Sequence, residues 1–251
     1  TDPYSHRVYE TAAQNLRKLE DDGALIRDST PCFYVYRITA NGCSQTGVAF
    51  SASVDAYNQN RIKKHELTRP SKEDDRVRQI EAVNAITGPV LMVHKAHTDL
   101  AALLNDASGG APDSVAANVG GACHELWVVS DLDAVAEVAA IINSMDAIYI
   151  ADGHHRSAAG GRVAKARRNA NPNHDGTEPY NGFLAVSFPD DQLKILDYNR
   201  VVKDLHVWDA DTFKTALSRI YRIEPVDAPV RPKAPGTFGM YMNGQWSLIV
   251  P

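Results

Sequence analysis

The segment Asp152-Gly153-His154-His155-Arg156 combines groups that can bind an anion and move a proton. It lies where an apolar, strand-like run (147–151) changes to a helical pattern (155–169). A helix N-terminus offers unpaired backbone N–H groups with partial positive charge, and glycine lets a ligand approach the backbone closely. Arg156 can add a bidentate contact, and Asp152 can hold magnesium or accept a hydroxyl proton. The segment therefore predicts a site for a phosphorylated small molecule.

Two other interpretations of this segment stay open. Asp152 could simply cap the helix, with the histidines and Arg156 solvated at its start. His154 and His155 could bind a metal ion, although neighbours on a helix diverge by about 100° and rarely share one ion. A nucleotide site of the P-loop type is excluded, because no glycine-rich loop ends in Gly-Lys-Ser or Gly-Lys-Thr.

A charged run at 61–78 is the second candidate, although most such runs are solvated faces. His65, Glu66 and Thr68 precede Pro70 in an expected loop, where polar groups are free to converge on a ligand. Lys72 and Arg76 are four residues apart and share a helical face, so together they could neutralise a phosphate.

The pattern of apolar residues predicts a mixed α/β fold with a central mixed sheet flanked by helices. A hairpin is expected around Asn41-Gly42 and a β-α-β-α alternation over 124–169. The loop at 105–121 is rich in small residues and is the expected mobile segment. Further helices are expected at 4–22, after Pro70, at 100–104 and at 210–220; further strands are expected at 89–94, 183–188, 193–198 and on both sides of Asn243-Gly244.

Length and composition favour a single cytoplasmic domain spanning 1–251, with subregions 1–95 and 96–251. A net charge of −5 disfavours nucleic acids and anionic membranes as partners, and no run of about 18 apolar residues predicts a membrane span. Three cysteines without a CxxC pair indicate neither a disulfide framework nor a zinc site, which fits a reducing compartment. Because the chain does not begin with methionine, we expect it to be a fragment of a longer protein.

Both motifs together resemble those of the bacterial and archaeal family called domain of unknown function 1015. His65-Glu66-Leu67-Thr68 followed by Lys72-Glu73 and Arg76 matches its first motif, and Asp152 to Arg156 matches its second. The resemblance covers nearly the whole chain. The second motif is also similar to that of free serine kinases, which have a ParB/sulfiredoxin-like fold, so the resemblance implies a nucleotide-binding element of that type around 124–170.

The kinase resemblance implies a small-molecule kinase that uses ATP or ADP with Mg²⁺, and L-serine is the first acceptor to consider. A non-catalytic, ParB-like regulatory module and a phosphohydrolase are the alternatives, and the oligomeric state stays open. Glu66, Asp152 and His155 are the expected catalytic residues, with Asp152 also expected to bind the metal ion. The expected nucleotide-binding residues are Gly153, His154, Arg156, Ser157, His65, Thr68, Arg69, Lys72 and Arg76.

Overall fold

The computed structural model describes residues 2–251 and contains seven α-helices and eleven strands in that range. The helices are α1 (His6–Asp21), α2 (Val54–Asn58), α3 (Pro70–Val83), α4 (Thr98–Ala107), α5 (Leu132–Ser144), α6 (His154–Ala170) and α7 (Ala210–Leu217). The strands are β1 (Phe33–Ala40), β2 (Cys43–Ser53), β3 (Ile62–Lys63), β4 (Val90–His94), β5 (Ser114–Val119), β6 (Ala122–Val129), β7 (Ile148–Asp152), β8 (Gly182–Pro189), β9 (Arg222–Val226), β10 (Phe238–Met242) and β11 (Gln245–Val250). No helix among these residues has both the length and the apolar character needed to cross a membrane.

Eight strands form one mixed sheet in the order β3-β7-β4-β8-β2-β1-β6-β5. The pairs β3·β7 and β4·β8 are parallel, and the other neighbours are antiparallel. The expected mixed α/β fold is therefore confirmed. The β6-α5-β7-α6 alternation is present, but β6 pairs with β1 and β5 while β7 pairs with β3 and β4. A ParB/sulfiredoxin-like element in this region stays a prediction.

Helix α6 is held by small residues on its inner face. Ala159 and Ala164 are fully buried, and Ala159 and Val163 pack with Ile80 of α3. A side chain at Gly160 would begin only 3.3 Å from the Cβ of Phe183 on β8, so glycine allows the helix to lie close to the sheet. Phe183 is itself 1% exposed, and burying a side chain of this size contributes roughly 1.5–3 kcal/mol. This packing holds the middle of α6 against α3 and β8.

Two local predictions were wrong. The loop expected at 105–121 contains the edge strand β5, whose six residues are all exposed. An exposed strand carries no apolar period, so its residues contain no cue to it. The strand expected at 193–198 is absent, and Ile195, Leu196 and Tyr198 are exposed there. Apolar residues at strand spacing do not make a strand without a neighbour to pair with.

The chain divides into two compact units, Thr1–Leu193 and Lys194–Pro251. The second unit contains a three-stranded antiparallel sheet in the order β10-β11-β9, together with α7. The side chain of Asp209 caps α7 by accepting from the backbone N–H of Thr212 at 2.7 Å. Asn243 and Gly244 have φ angles of 50° and 80°, which confirms the tight turn expected between the last two strands.

Replacing Gly42 by alanine is expected to destabilise the protein by about 1 kcal/mol, because a left-handed backbone is unfavourable for any residue with a Cβ. Gly42 has φ 75° and follows Asn41, with φ 52°, in the β1–β2 turn. Gly110 is the matched control, because it has no positive φ and a Cβ there would also meet nothing within 4 Å. Chemical denaturation should show a loss for Gly42→Ala only. An equal loss in both variants would contradict the assigned turn.

Candidate functional site

The turn between β7 and α6 has the geometry of an anion site. Gly153 adopts φ 96°, and its carbonyl accepts from the N–H groups of Arg156 at 2.8 Å and Ser157 at 3.0 Å. The N–H groups of His154 and His155 precede the first helical hydrogen bond, so they have no acceptor within the helix. Asp152 does not cap α6; its Oδ2 instead accepts from Nη2 of Arg156 at 2.8 Å. The capping interpretation of Asp152 is therefore wrong, because its carboxylate pairs with Arg156.

Strand pairing brings the first motif to the same place. β3 runs parallel to β7, with Ile62 opposite Ile148 and Lys63 opposite Tyr149. The carboxyl ends of two parallel neighbours meet at one edge of a sheet, so the residues that follow β3 lie beside the turn at Gly153. His65 and Glu66 reach the start of α6 in this way.

The ring of His154 joins the two motifs, although 89 residues separate His65 from His154. His154 is 4% exposed, and its ring centroid lies 4.4 Å from that of His65 in an edge-to-face arrangement. The backbone N–H of His65 donates to Nε2 of His154 at 3.4 Å. Nδ1 of His154 lies 3.7 Å from Oε2 of Glu66. Both ring nitrogens of His154 thus contact the loop that carries His65 and Glu66.

Burial fixes the protonation of this histidine. Desolvation lowers the pKa of His154, and the neighbouring His65 lowers it further, whereas Glu66 raises it. His154 is therefore neutral at pH 7. Since Nε2 accepts the hydrogen bond from His65, the ring proton lies on Nδ1, which faces Glu66. The 3.7 Å contact is then a neutral donor pointing at a carboxylate, not a full ion pair.

His155 and Arg156 each hold a buried polar atom without a partner. Nδ1 of His155 and Nε of Arg156 make no hydrogen bond to any residue in 2–251. An unsatisfied buried polar atom costs about 1–3 kcal/mol, so it calls for a missing partner or a functional role. Both atoms belong to the first turn of α6, where the unpaired backbone N–H groups also lie. Two kinds of unpaired donor, backbone N–H groups and the Nε–H of Arg156, therefore lie at one helix start, beside the unpartnered ring nitrogen of His155.

The whole chain, residues 1–251, matches the model of the family described as "Protein of unknown function (DUF1015)". The chain belongs to this family. A search of curated proteins and a search of solved structures each found no match. The roles of the two motifs in this DUF1015 protein therefore rest on its own sequence and geometry.

Other residues of the first motif form contacts elsewhere or are exposed. The hydroxyl of Thr68 donates to Glu73, which also pairs with Arg162 at 3.2 Å. Arg76 pairs with Asp75 at 3.0 Å, and the same aspartate accepts from the hydroxyl of Tyr9 on α1 at 2.8 Å. Among residues 2–251, Arg69 and Lys72 form no ion pair and both are exposed. The structure brings only His65 and Glu66 of this motif into contact with α6's first residue, and nucleotide binding by the others stays a prediction.

Sequence reasoning missed Arg162 and Tyr57, which line a cleft of ≈ 380 Å³ beside α6 together with Thr68 and Glu73. Arg162 bridges α6 to α3 through Glu73 and through Asp74, the latter at 2.7 Å. It lies seven residues after His155, which is two helical turns along the same face. That spacing was the one available signal for Arg162.

Asp152 is the residue expected to hold a magnesium ion. No three or more His, Cys, Asp or Glu side chains in the described part of the chain are grouped to bind a metal ion. Mg²⁺ at nucleotide sites commonly needs only one or two carboxylates, because substrate phosphates and water complete its shell. Asp152 is three-quarters exposed, and Arg156 contacts only its Oδ2. Its other oxygen fits such a role.

Proposed function

We propose that this DUF1015 protein is a small-molecule kinase that transfers a phosphoryl group from ATP or ADP to a hydroxyl group. L-Serine is the first acceptor to test. The observation that carries the proposal is the position of Glu66, whose carboxylate faces the neutral Nδ1–H of His154 at the start of α6. A carboxylate and an anion-binding helix start, brought together from distant parts of the chain, are the parts that phosphoryl transfer needs.

The proposed step needs one base and several positive groups. The acceptor oxygen attacks the terminal phosphorus, the bond from phosphorus to the nucleotide oxygen breaks, and the hydroxyl proton passes to Glu66 or Asp152. The N–H groups at the start of α6 and the guanidinium of Arg156 offset the charge on the phosphoryl oxygens. His155 lies at the same helix turn, where its ring would donate a hydrogen bond to an oxygen of the transferred group. A magnesium ion, held by Asp152 and the phosphates, would supply further positive charge.

Phosphorus NMR tests this proposal directly. The protein is incubated with ATP or ADP, Mg²⁺ and a panel of hydroxyl amino acids and sugars, and new phosphoester signals are recorded. A phosphoester that forms with one acceptor only would support a kinase and identify its substrate. Inorganic phosphate formed without any acceptor would favour a phosphohydrolase. Saturable nucleotide binding with no turnover would favour a regulatory module, and no nucleotide binding at all would overturn the site itself.

Arg156→Gln is expected to weaken nucleotide binding roughly 10- to 100-fold, because a charge-assisted bidentate contact to phosphate is lost. Arg7→Gln is the matched control, since Arg7 is exposed on α1 and its side chain forms no ion pair with residues 2–251. Isothermal titration calorimetry with ADP and Mg²⁺ measures both affinities. Equal affinities in the two variants would remove Arg156 from the proposed site.

A further inference from the structure

A second cleft lies at the opposite end of the strands from the turn at Gly153. β4 is antiparallel to β7, so its last residue, His94, is far from Asp152, which pairs with Leu91. β4 is parallel to β8, and His94 lies opposite Pro189 at their carboxyl ends. Clefts beside the carboxyl ends of parallel strands are common ligand sites. This cleft has a volume of ≈ 470 Å³, within the range of small-molecule pockets.

His94 lines this cleft and has one ring nitrogen without a partner among residues 2–251. It is 3% exposed, lines the cleft, and its Nδ1 lies 2.7 Å from the hydroxyl of Ser187. Ser187 is 1% exposed and its hydroxyl has no other partner in residues 2–251, so its hydrogen goes to Nδ1. The proton of the neutral ring is then on Nε2. Nε2 meets no acceptor among the described residues, which leaves its N–H open to the cleft.

His97 presents a second donor of the same kind. Its Nδ1 accepts from the backbone N–H of Leu100 at 3.4 Å, where it caps helix α4. A neutral ring that accepts through Nδ1 carries its proton on Nε2. His97 lines the cleft with His94. Both histidines therefore line one cleft, and each accepts a hydrogen bond through Nδ1, which leaves Nε2 as the donor of its ring.

The charge of the lining disfavours phosphates and other anions. Asp191 is the one charged residue among the lining residues, none of which is Lys or Arg. It is exposed and forms no ion pair with residues 2–251, so its oxygens are open to donors. Burial lowers the pKa of His94 to about 4, so this ring adds no positive charge at pH 7. Leu100 and Leu104 supply an apolar wall.

We propose that this cleft binds a small uncharged polyhydroxylated molecule, such as a polyol or a monosaccharide. Its hydroxyl groups donate to Asp191 and accept from Nε2–H of His94 and His97, because a hydroxyl both donates and accepts. Its carbon skeleton lies against Leu100 and Leu104. The site is separate from the kinase proposal and does not depend on it.

Saturation-transfer NMR tests the cleft with a panel of glucose, mannose, ribose, myo-inositol and sorbitol, together with glucose 6-phosphate and alanine. We expect at least one uncharged member to bind and glucose 6-phosphate and alanine not to bind. Asp191→Asn should weaken that binding roughly 10-fold, because hydrogen bonds to a charged acceptor are lost. Asp133→Asn, on exposed α5 residue Asp133, is the control and should leave binding unchanged.

A second measurement locates the ligand. In ¹⁵N-labelled protein, the Nε2 signal of His94 should shift on titration with the bound sugar or polyol, and the signal of His155 should not. The proposal is overturned if no uncharged member binds, if the phosphate or alanine binds instead, or if Asp191→Asn binds as tightly as the wild type. A ligand that shifts His155 and leaves His94 unchanged would also overturn it.

Discussion

Glu66→Gln is expected to lower the rate of phosphoryl transfer by roughly 100- to 10,000-fold, the usual contribution of a positioned general base. Glutamine keeps the size of the side chain and one accepting oxygen but cannot take up a proton at neutral pH. The affinity for nucleotide should stay close to that of the wild type, since Glu66 is not among the groups that contact phosphate in the proposed site. Initial rates of phosphoester formation and calorimetric titration with nucleotide measure the two effects separately.

Glu137→Gln is the control for this prediction, because Glu137 is exposed on α5 and forms no ion pair with residues 2–251. It should retain full activity. If Glu66→Gln retains it as well, then Asp152 becomes the candidate base, and Asp152→Asn should show the loss. If both variants remain active, neither carboxylate takes the proton and the assigned mechanism is wrong.

The sequence predicted those elements whose own residues set their structure. Asn41-Gly42 specified the first hairpin, because both residues tolerate positive φ. Pro70 marked the start of α3, where a missing N–H costs nothing. The change from an apolar strand to a helix at Gly153 could also be predicted from the sequence. The structure agrees, because Gly153 adopts φ 96°, a backbone conformation that favours glycine. Each of these features depends on neighbours in the chain.

Features that depend on contacts between residues far apart in the chain could not be predicted from the sequence. The meeting of Glu66 and His154 requires β3, a two-residue strand whose existence depends on pairing with β7. The sequence could place both motifs in one site only through the family resemblance. The resemblance assigned His154 to nucleotide binding and His155 to catalysis. The structure buries the ring of His154 against His65 and leaves Nδ1 of His155 without a partner among residues 2–251, a difference that the sequence did not show. Side-chain direction at a helix start is decided by packing that a single sequence does not contain.

The role of His94 was even less predictable from the sequence. In the sequence it is a single histidine at the end of an apolar run, and nothing nearby marks it as a site residue. His94 becomes a candidate site residue only through its hydrogen bond with Ser187, 93 residues later, and through the parallel pairing of β4 with β8. Both are consequences of the tertiary fold.

Acid is expected to destabilise the first unit through His94 by about 3 kcal/mol between pH 7 and pH 4. Burial lowers the pKa of His94 from 6.5 to about 4 in the folded protein. In this window the unfolded chain binds a proton at His94 that the folded protein does not, so protons favour unfolding. The stabilisation from the neutral ring is complete above pH 6.5 and is lost as the pH falls towards 4. The difference of the two pKa values sets the size of the effect.

His94→Asn should remove this part of the acid sensitivity, because asparagine does not titrate and its carbonyl can still accept from Ser187. His6→Asn, at a site on α1 whose side chain is 89% exposed, is the control and should keep the wild-type dependence. Denaturant unfolding at pH 7 and pH 4, with Trp208 and Trp246 replaced by phenylalanine, leaves Trp127 as the reporter of the first unit. If His94→Asn loses as much stability as the wild type over this range, His94 is not held neutral in the fold. The donor that its Nε2 offers to the second cleft would then need another explanation.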